Sequence, residues 1–292
     1  MTCQQPVIRA HSIQNARVID LLEESGHVIA LRPKFSGGGP GLEFKSVGRN
    51  LASTFTGMCS EHDRAIFAPL DSMPLNVRDN EQLFLLAYRS ATRELHAVME
   101  AASKFQLAYL SRVSRGLDPS NNPSPAGLVA TQQLMNAYQT YQYRADNFDR
   151  GLLYKRYDSV EHDAIIFDDQ SPAIAVSSLF SVDELAKYDN ETPNVILNVV
   201  PTTTQQTVVV FSYTKEDRAA VKPILQRIFL SQGDLQKYEL SKLILTRVEN
   251  FLISPVHFSA WAMAKKETIM NAFASTLMAG TEPREHPDLM LF

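Results

Sequence analysis

Only two cysteines and one tryptophan occur in 292 residues, and no long apolar run is present. Two cysteines are too few for a disulfide framework, because secreted scaffolds of that kind carry several pairs. The thiols point instead to a reducing compartment, and the cytoplasm is the expected location. No stretch approaches the roughly 18 uninterrupted apolar residues of a spanning helix, and the first residues lack a basic segment followed by an apolar one. Neither export nor a membrane partner is expected. An excess of positive charge is also missing, since 28 Lys and Arg stand against 32 Asp and Glu for a net −4. Nucleic-acid binding usually needs a basic face to neutralise phosphates, so any such contact has to be local.

What is present fits a folded chain, with 45% apolar and 21% charged residues. That length buries a substantial core without staples. Three blocks are expected, over residues 1–75, 76–157 and 158–292. In the first, the pattern predicts a helix from Asn15 to Glu24 closed by Gly26, a half-buried strand from His27 to Arg32, and a flexible "SGGGPG" loop from Ser36 to Gly41. "CSEHDRAIF" opens another helix.

The middle block reads as an antiparallel helical hairpin. Ala91, Leu95, Val98, Ala102, Phe105, Tyr109 and Val113 form one stripe; Met135, Tyr138, Tyr141, Ala145, Phe148 and Leu152 form the other. A polar turn from Gly116 to Gly127 joins them. The tyrosines suit either a packing seam or a binding surface for a protein partner or a second copy. In the last block, "AIIF", "AIAVSSLF", "NVILNVV" and "TVVVFSY" are strand-like. Helical patterns follow at Lys215–Leu230, Asp234–Leu252 and Ser259–Met278, so the class is α+β with a C-terminal mixed sheet and helices.

The chemistry gathers in two islands, Cys3 with "AHSIQN" from Ala10, and "CSEHD" from Cys59 to Asp63. Thiolate and imidazole are the donors that zinc prefers, and a two-residue gap lets Cys59 and His62 turn toward one ion. Cys3 is the candidate third ligand, and His11, His27 or a water the fourth. The competing reading makes Cys3 a terminal residue and Cys59 a small buried hydrophobe. Imidazole at His11 suits general-base work near neutrality, and Asp63 offers the carboxylate that magnesium or manganese prefers. Alternatively His11 caps a helix or completes the zinc site, and Asp63 caps the helix that follows.

"IRAHSIQNARVI", "ASTFTGMCSEHDRAIFAPLD", "NEQLFLLAYRS", "AIAVSSLFS" and "ENFLISP" together resemble a family of uncharacterised bacterial proteins in which these segments recur in order. The first two segments are also similar to the treble-clef arrangement of HNH-type endonucleases. That likeness implies an N-terminal treble-clef-like zinc module held by Cys3, Cys59 and His62. It also implies His11 as the catalytic base and Asp63 as a ligand of magnesium or manganese. A bacterial defence or toxin nuclease is the activity it suggests. The rival expectation is a non-catalytic zinc protein that binds or assembles with protein partners.

Other motifs fail. The glycine run fits neither phosphate-binding pattern, and Ser177 and Ser178 lack a G-x-S-x-G elbow. The His162–Asp163 pair reads as polar side chains facing solvent at a strand start. "ENFLISP" reads as a helix-to-loop transition, and Trp261 as a core or interface anchor.

Overall fold

The computed structural model describes residues 3–36, 39–119, 124–168, 170–182 and 192–292. In chain order, strand β1 (Val7–His11) leads through a π-helical turn (Asn15–Ile19) into the short helix α1 (Asp20–Leu22). A hairpin of β2 (His27–Ser36) and β3 (Gly39–Gly48) follows, then β4 (Thr54–Cys59) and helix α2 (Ser60–Ser72). Long helices α3 (Asn80–Ser114) and α4 (Pro125–Arg144) come next, and a second π-helical turn leads to α5 (Arg150–Tyr154). Strands β5 (Val160–Asp168), β6 (Ile174–Ser181), β7 (Asn194–Thr203) and β8 (Gln206–Thr214) precede α6 (Arg218–Leu230) and α7 (Gly233–Arg247). The chain then adds β9 (Phe251–Ile253), α8 (Pro255–Ser259) and α9 (Met263–Ala279).

Seven strands form one sheet in the order β3-β2-β9-β6-β7-β8-β5, and β1 pairs with β4 in a separate two-stranded sheet. Every pairing is antiparallel. The α+β class therefore holds, but the expected mixed sheet is corrected to an antiparallel one. The strands read as near-continuous apolar runs because helices cover both faces. On β7, Ile196 and Val200 face the core under α3, whereas Val195, Leu197 and Val199 face the core under α6 and α7. β8 repeats the alternation with Val208 and Val210 against Val209 and Phe211, the period-two signature of a strand buried on both sides.

The sheet also crosses the expected block boundaries. Ile29 of β2 pairs with Ile253 of β9, so the hairpin from the first block joins the sheet of the last. β9 itself corrects two expectations at once. The helix pattern to Leu252 ends at Arg247, and "ENFLISP" supplies an interior strand between β2 and β6. β2 runs past Arg32 to Ser36 and β3 starts at Gly39, so the ends of the glycine-rich segment are extended backbone. Its residues 37–38 lie outside the described residues. Gly26 does adopt a left-handed φ of 77°, but in the tight turn entering β2 rather than as a helix cap, since α1 ends at Leu22.

The hairpin forms as expected, with its contacts elsewhere. α3 is capped by Asp79, whose carboxylate accepts from the backbone N–H of Glu81 (3.0 Å) and Gln82 (3.2 Å). Its first turns are buried all round from Gln82 to Thr92 because α2, the sheet and the turn at Tyr157–Ser159 surround them. Further out, Ala102 is buried and Phe105 is exposed. On α4 the expected stripe is corrected: Met135, Tyr138 and Tyr141 face solvent, and the small side chains of Ala130 and Ala137 are buried instead. Small residues let the helix backbones approach closely, and Gln106 of α3 donates to the carbonyl of Ala130 at 3.0 Å.

Candidate metal centre and ββα unit

β1, β4 and α2 form a ββα unit, with His11 opposite Thr54 and Val7 opposite Cys59. Cys59 ends β4 and occupies the position before the first turn of α2. The two islands meet there. Cys59 Sγ lies 3.7 Å from Cys3 Sγ and 3.1 Å from His62 Nδ1, and one donor atom from each of the three lies within 4.8 Å of the others. Cys59 is buried, while Cys3 and His62 are exposed. Both cysteines are free thiols.

Two sulfurs bound to one tetrahedral zinc at about 2.3 Å stand about 3.8 Å apart, close to the observed separation. The local backbone favours the thiolate too. The backbone N–H of His62 leads in pulling Cys59 from the usual 9.0 to about 7, against burial, helped by the His62 ring, Cys3 and the N–H of Glu61. These three residues fit a soft divalent ion. The expected fourth donors are elsewhere, since the His11 ring contacts the carbonyl of Arg49 and the His27 ring that of Ser25.

His11 sits at the end of β1, half-buried. Its Nε2 lies 3.2 Å from the Arg49 carbonyl, which can only accept, so Nε2 carries the proton and Nδ1 keeps a lone pair. Burial, with smaller contributions from Arg89 and Arg49, lowers its pKa despite the Arg49 bond and Asp63. The ring is therefore neutral at neutral pH. Arg49 is itself tied to Asn15 (3.0 Å), Asp20 (2.5 Å) and Glu23 (3.4 Å).

Asp63 lies in the first turn of α2. Desolvation raises its pKa, Arg89 opposes the rise, Asp71 adds to it and His11 lowers it. His11 and Asp63 thus share one electrostatic environment. Neither is a helix cap: residue 59 precedes α2, and Gln14 precedes the π-helical turn.

Sequence reasoning missed two groups around the unit, and a buried histidine elsewhere in the sheet. Arg89, only 5% exposed at its side chain, forms a two-pronged ion pair with Asp71 at 2.9 and 2.7 Å and stacks 4.1 Å over Phe67. An arginine inside the apolar run "LFLLAYRSA" was the available signal. Asn250, dismissed with the loop, donates from Nδ2 to Ser12 Oγ and Ser53 Oγ, both at 3.1 Å, and to the Ser177 carbonyl at 2.7 Å. It ties the residue after His11 to β6. His162, on β5, is no solvated side chain either: burial lowers its pKa to about 4 against Asp163, and Nδ1 meets Ser212 at 2.8 Å. Comparison with protein-family models, curated proteins and solved structures finds no match for the chain.

Proposed function

We propose that the protein is a zinc-binding, metal-dependent nuclease of HNH type, in which Cys3, Cys59 and His62 hold the zinc of a treble-clef-like module. The observation that carries this reading is the ββα unit, with a base-competent His11 ending β1 and sharing its surroundings with Asp63 in the first turn of α2. Zinc between the three donors would clip the start of the chain to the β4–α2 junction. Magnesium or manganese at Asp63 would supply charge stabilisation to a phosphodiester.

His11 Nδ1 takes a proton from water, the water oxygen forms a bond to phosphorus, and the ester P–O bond breaks. The leaving oxygen is then protonated by solvent. Arg49 fixes the tautomer through its carbonyl, and that carbonyl is positioned by the ion pairs of the Arg49 side chain. Contact with nucleic acid is local, in keeping with the net charge of −4.

The test incubates purified chain with DNA or RNA and magnesium or manganese. Expected are cleavage lost in His11→Ala and roughly one zinc per chain. The lowered pKa of His11 puts the acid limb of the rate profile below pH 6.5, with activity falling as the ring protonates. Cleavage unaffected by His11→Ala overturns the base assignment.

A second reading, a non-catalytic zinc protein with protein partners, is favoured by Arg89. Its guanidinium is the leading charge acting on Asp63, and a buried cation there competes with a divalent one. Absence of cleavage under any metal, with zinc retained, selects this reading.

A further inference from the structure

Beyond the sheet, α3 and α4 continue as a two-helix hairpin, and one face of it is left open. Met99, Leu107 and Leu110 of α3 and Leu134, Tyr138 and Tyr141 of α4 are each 51 to 67% exposed there. Steps of three, four and eight residues set each trio on one side of its helix. Each of the six directly follows a buried or half-buried position, as Leu107 follows Gln106 and Tyr138 follows Ala137. One residue onward is a turn of about 100° in a fixed sense, so on antiparallel helices that face each other both trios emerge on the same side. The bond from Gln106 to the Ala130 carbonyl sets the register and puts Leu134 and Met99 near the middle of this face.

Together the six present about 700 Å² of accessible surface, more than the roughly 300–600 Å² of the largest apolar patch on an ordinary monomer and close to the roughly 800 Å² that each partner gives to a standard interface. Charge is missing from it. From Pro125 to Tyr143 α4 carries no charged residue, and on the outer part of α3 Lys104 is paired with Glu100 at 2.7 Å and Arg112 with Asp118. Tyrosine and methionine in place of lysine and glutamate is the composition of a protein interface, not of a solvated helix.

The same lack of charge selects the occupant. A membrane surface calls for Lys and Arg beside the apolar stripe, and a charged partner for a complementary field. A second copy needs neither, and it meets no like-charge repulsion across this face although the chain carries −4 overall. An antiparallel helix pair laid on its own copy makes a four-helix bundle that buries all four apolar stripes.

We propose that the protein is a two-fold symmetric dimer joined through this face, with Leu134 beside its own counterpart at the axis. Such a contact is closed, so two copies satisfy it. Neither the zinc ligands nor His11 takes part, so the dimer stands or falls apart from the nuclease reading.

Sedimentation velocity on the full chain tests it between about 1 and 100 μM, where twice the chain mass of 32.7 kDa is expected and half-dissociation falls below about 10 μM. Leu134→Glu weakens association at least tenfold, because two carboxylates then meet at the axis, and Leu134→Lys does the same with two ammonium groups. An equimolar mixture of the two variants recovers the dimer, since opposite charges face each other. Leu230→Glu on α6, 75% exposed on the other side of the sheet, leaves association unchanged. A monomer throughout the range, assembly that grows beyond two copies, a dimer that survives Leu134→Glu, a mixture that stays monomeric, or equal loss in Leu230→Glu overturns the proposal.

Discussion

Along β7 and β8, seven and eight consecutive residues are buried, whereas β1 buries one residue of five and β4 two of six. The sheet is held by apolar side chains on both faces. The ββα unit has a hydrophobic floor in Ile13, Phe67 and Leu70, but its fixed points are polar: the Cys3–Cys59–His62 cluster, the Asn250 hub and the Arg89–Asp71 pair. Burial is non-directional and tolerates small shifts, while a metal site or an ion pair sets atoms to within a fraction of an ångström. The region proposed to carry the chemistry is therefore the one that depends on directional contacts.

If that contrast holds, the largest loss of stability comes from the sheet. Phe211, fully buried between β8 and α6, leaves a cavity when changed to alanine and is expected to cost about 3–5 kcal/mol by denaturant unfolding. Zinc content per folded chain stays the same. Loss of zinc from folded Phe211→Ala protein would mean that the two regions are not separable.

Asp71→Asn comes next. It strands the buried Arg89 guanidinium, and because Asp71 is itself about one-third exposed at its side chain, the expected cost is about 2–3 kcal/mol. The double change with Arg89→Met recovers most of that loss, since both charges are gone. A double variant as unstable as Asp71→Asn alone would show that the pair acts through packing over Phe67 rather than through charge.

Periodicity made the α+β class and the long helices readable, because a 3.6-residue or two-residue repeat is a local property. The place of β9 was not readable: Phe251–Ile253 is three residues long, and its strand identity comes from its neighbours β2 and β6. The α4 stripe misled for a related reason. Met135, Tyr138 and Tyr141 share a face, but the helix turns its alanines to α3. At the site, Cys3, Cys59 and His62 were legible because few residue types bind soft metals, and the fold brings them together. Asn250, Ser12 and Ser53 were not, since amide and hydroxyl groups are common and only the fold tells which are buried.

Removal of the proposed zinc is expected to separate the regions more gently. Chelation, or Cys59→Ser, is expected to speed amide exchange over residues 59–63 at least tenfold while changing the global unfolding free energy by less than about 1 kcal/mol. Acid acts in the same direction. The folded pKa of Cys59, about 7, lies below the ordinary thiol value of 9.0, so its contribution is complete above about 9 and is lost as pH falls through 7. Zinc titrated against a colorimetric chelator should leave progressively as the pH drops below 7, and release that ignores pH in this window would remove Cys59 from the ligand set.

The smallest effect belongs to the outer hairpin, where α3 and α4 extend beyond the sheet. Leu107 is 67% exposed there, so changing it to glutamine removes little buried area and alters stability by no more than about 0.5 kcal/mol in the isolated chain. The neighbouring Leu110, Leu134 and Tyr138 are also exposed. A loss of 2 kcal/mol or more that grows with protein concentration would place this surface in a contact between copies, since a mass-action term enters only when association is linked to folding. The directional ββα unit and the apolar sheet would then be joined by a third region whose stability is set from outside the chain.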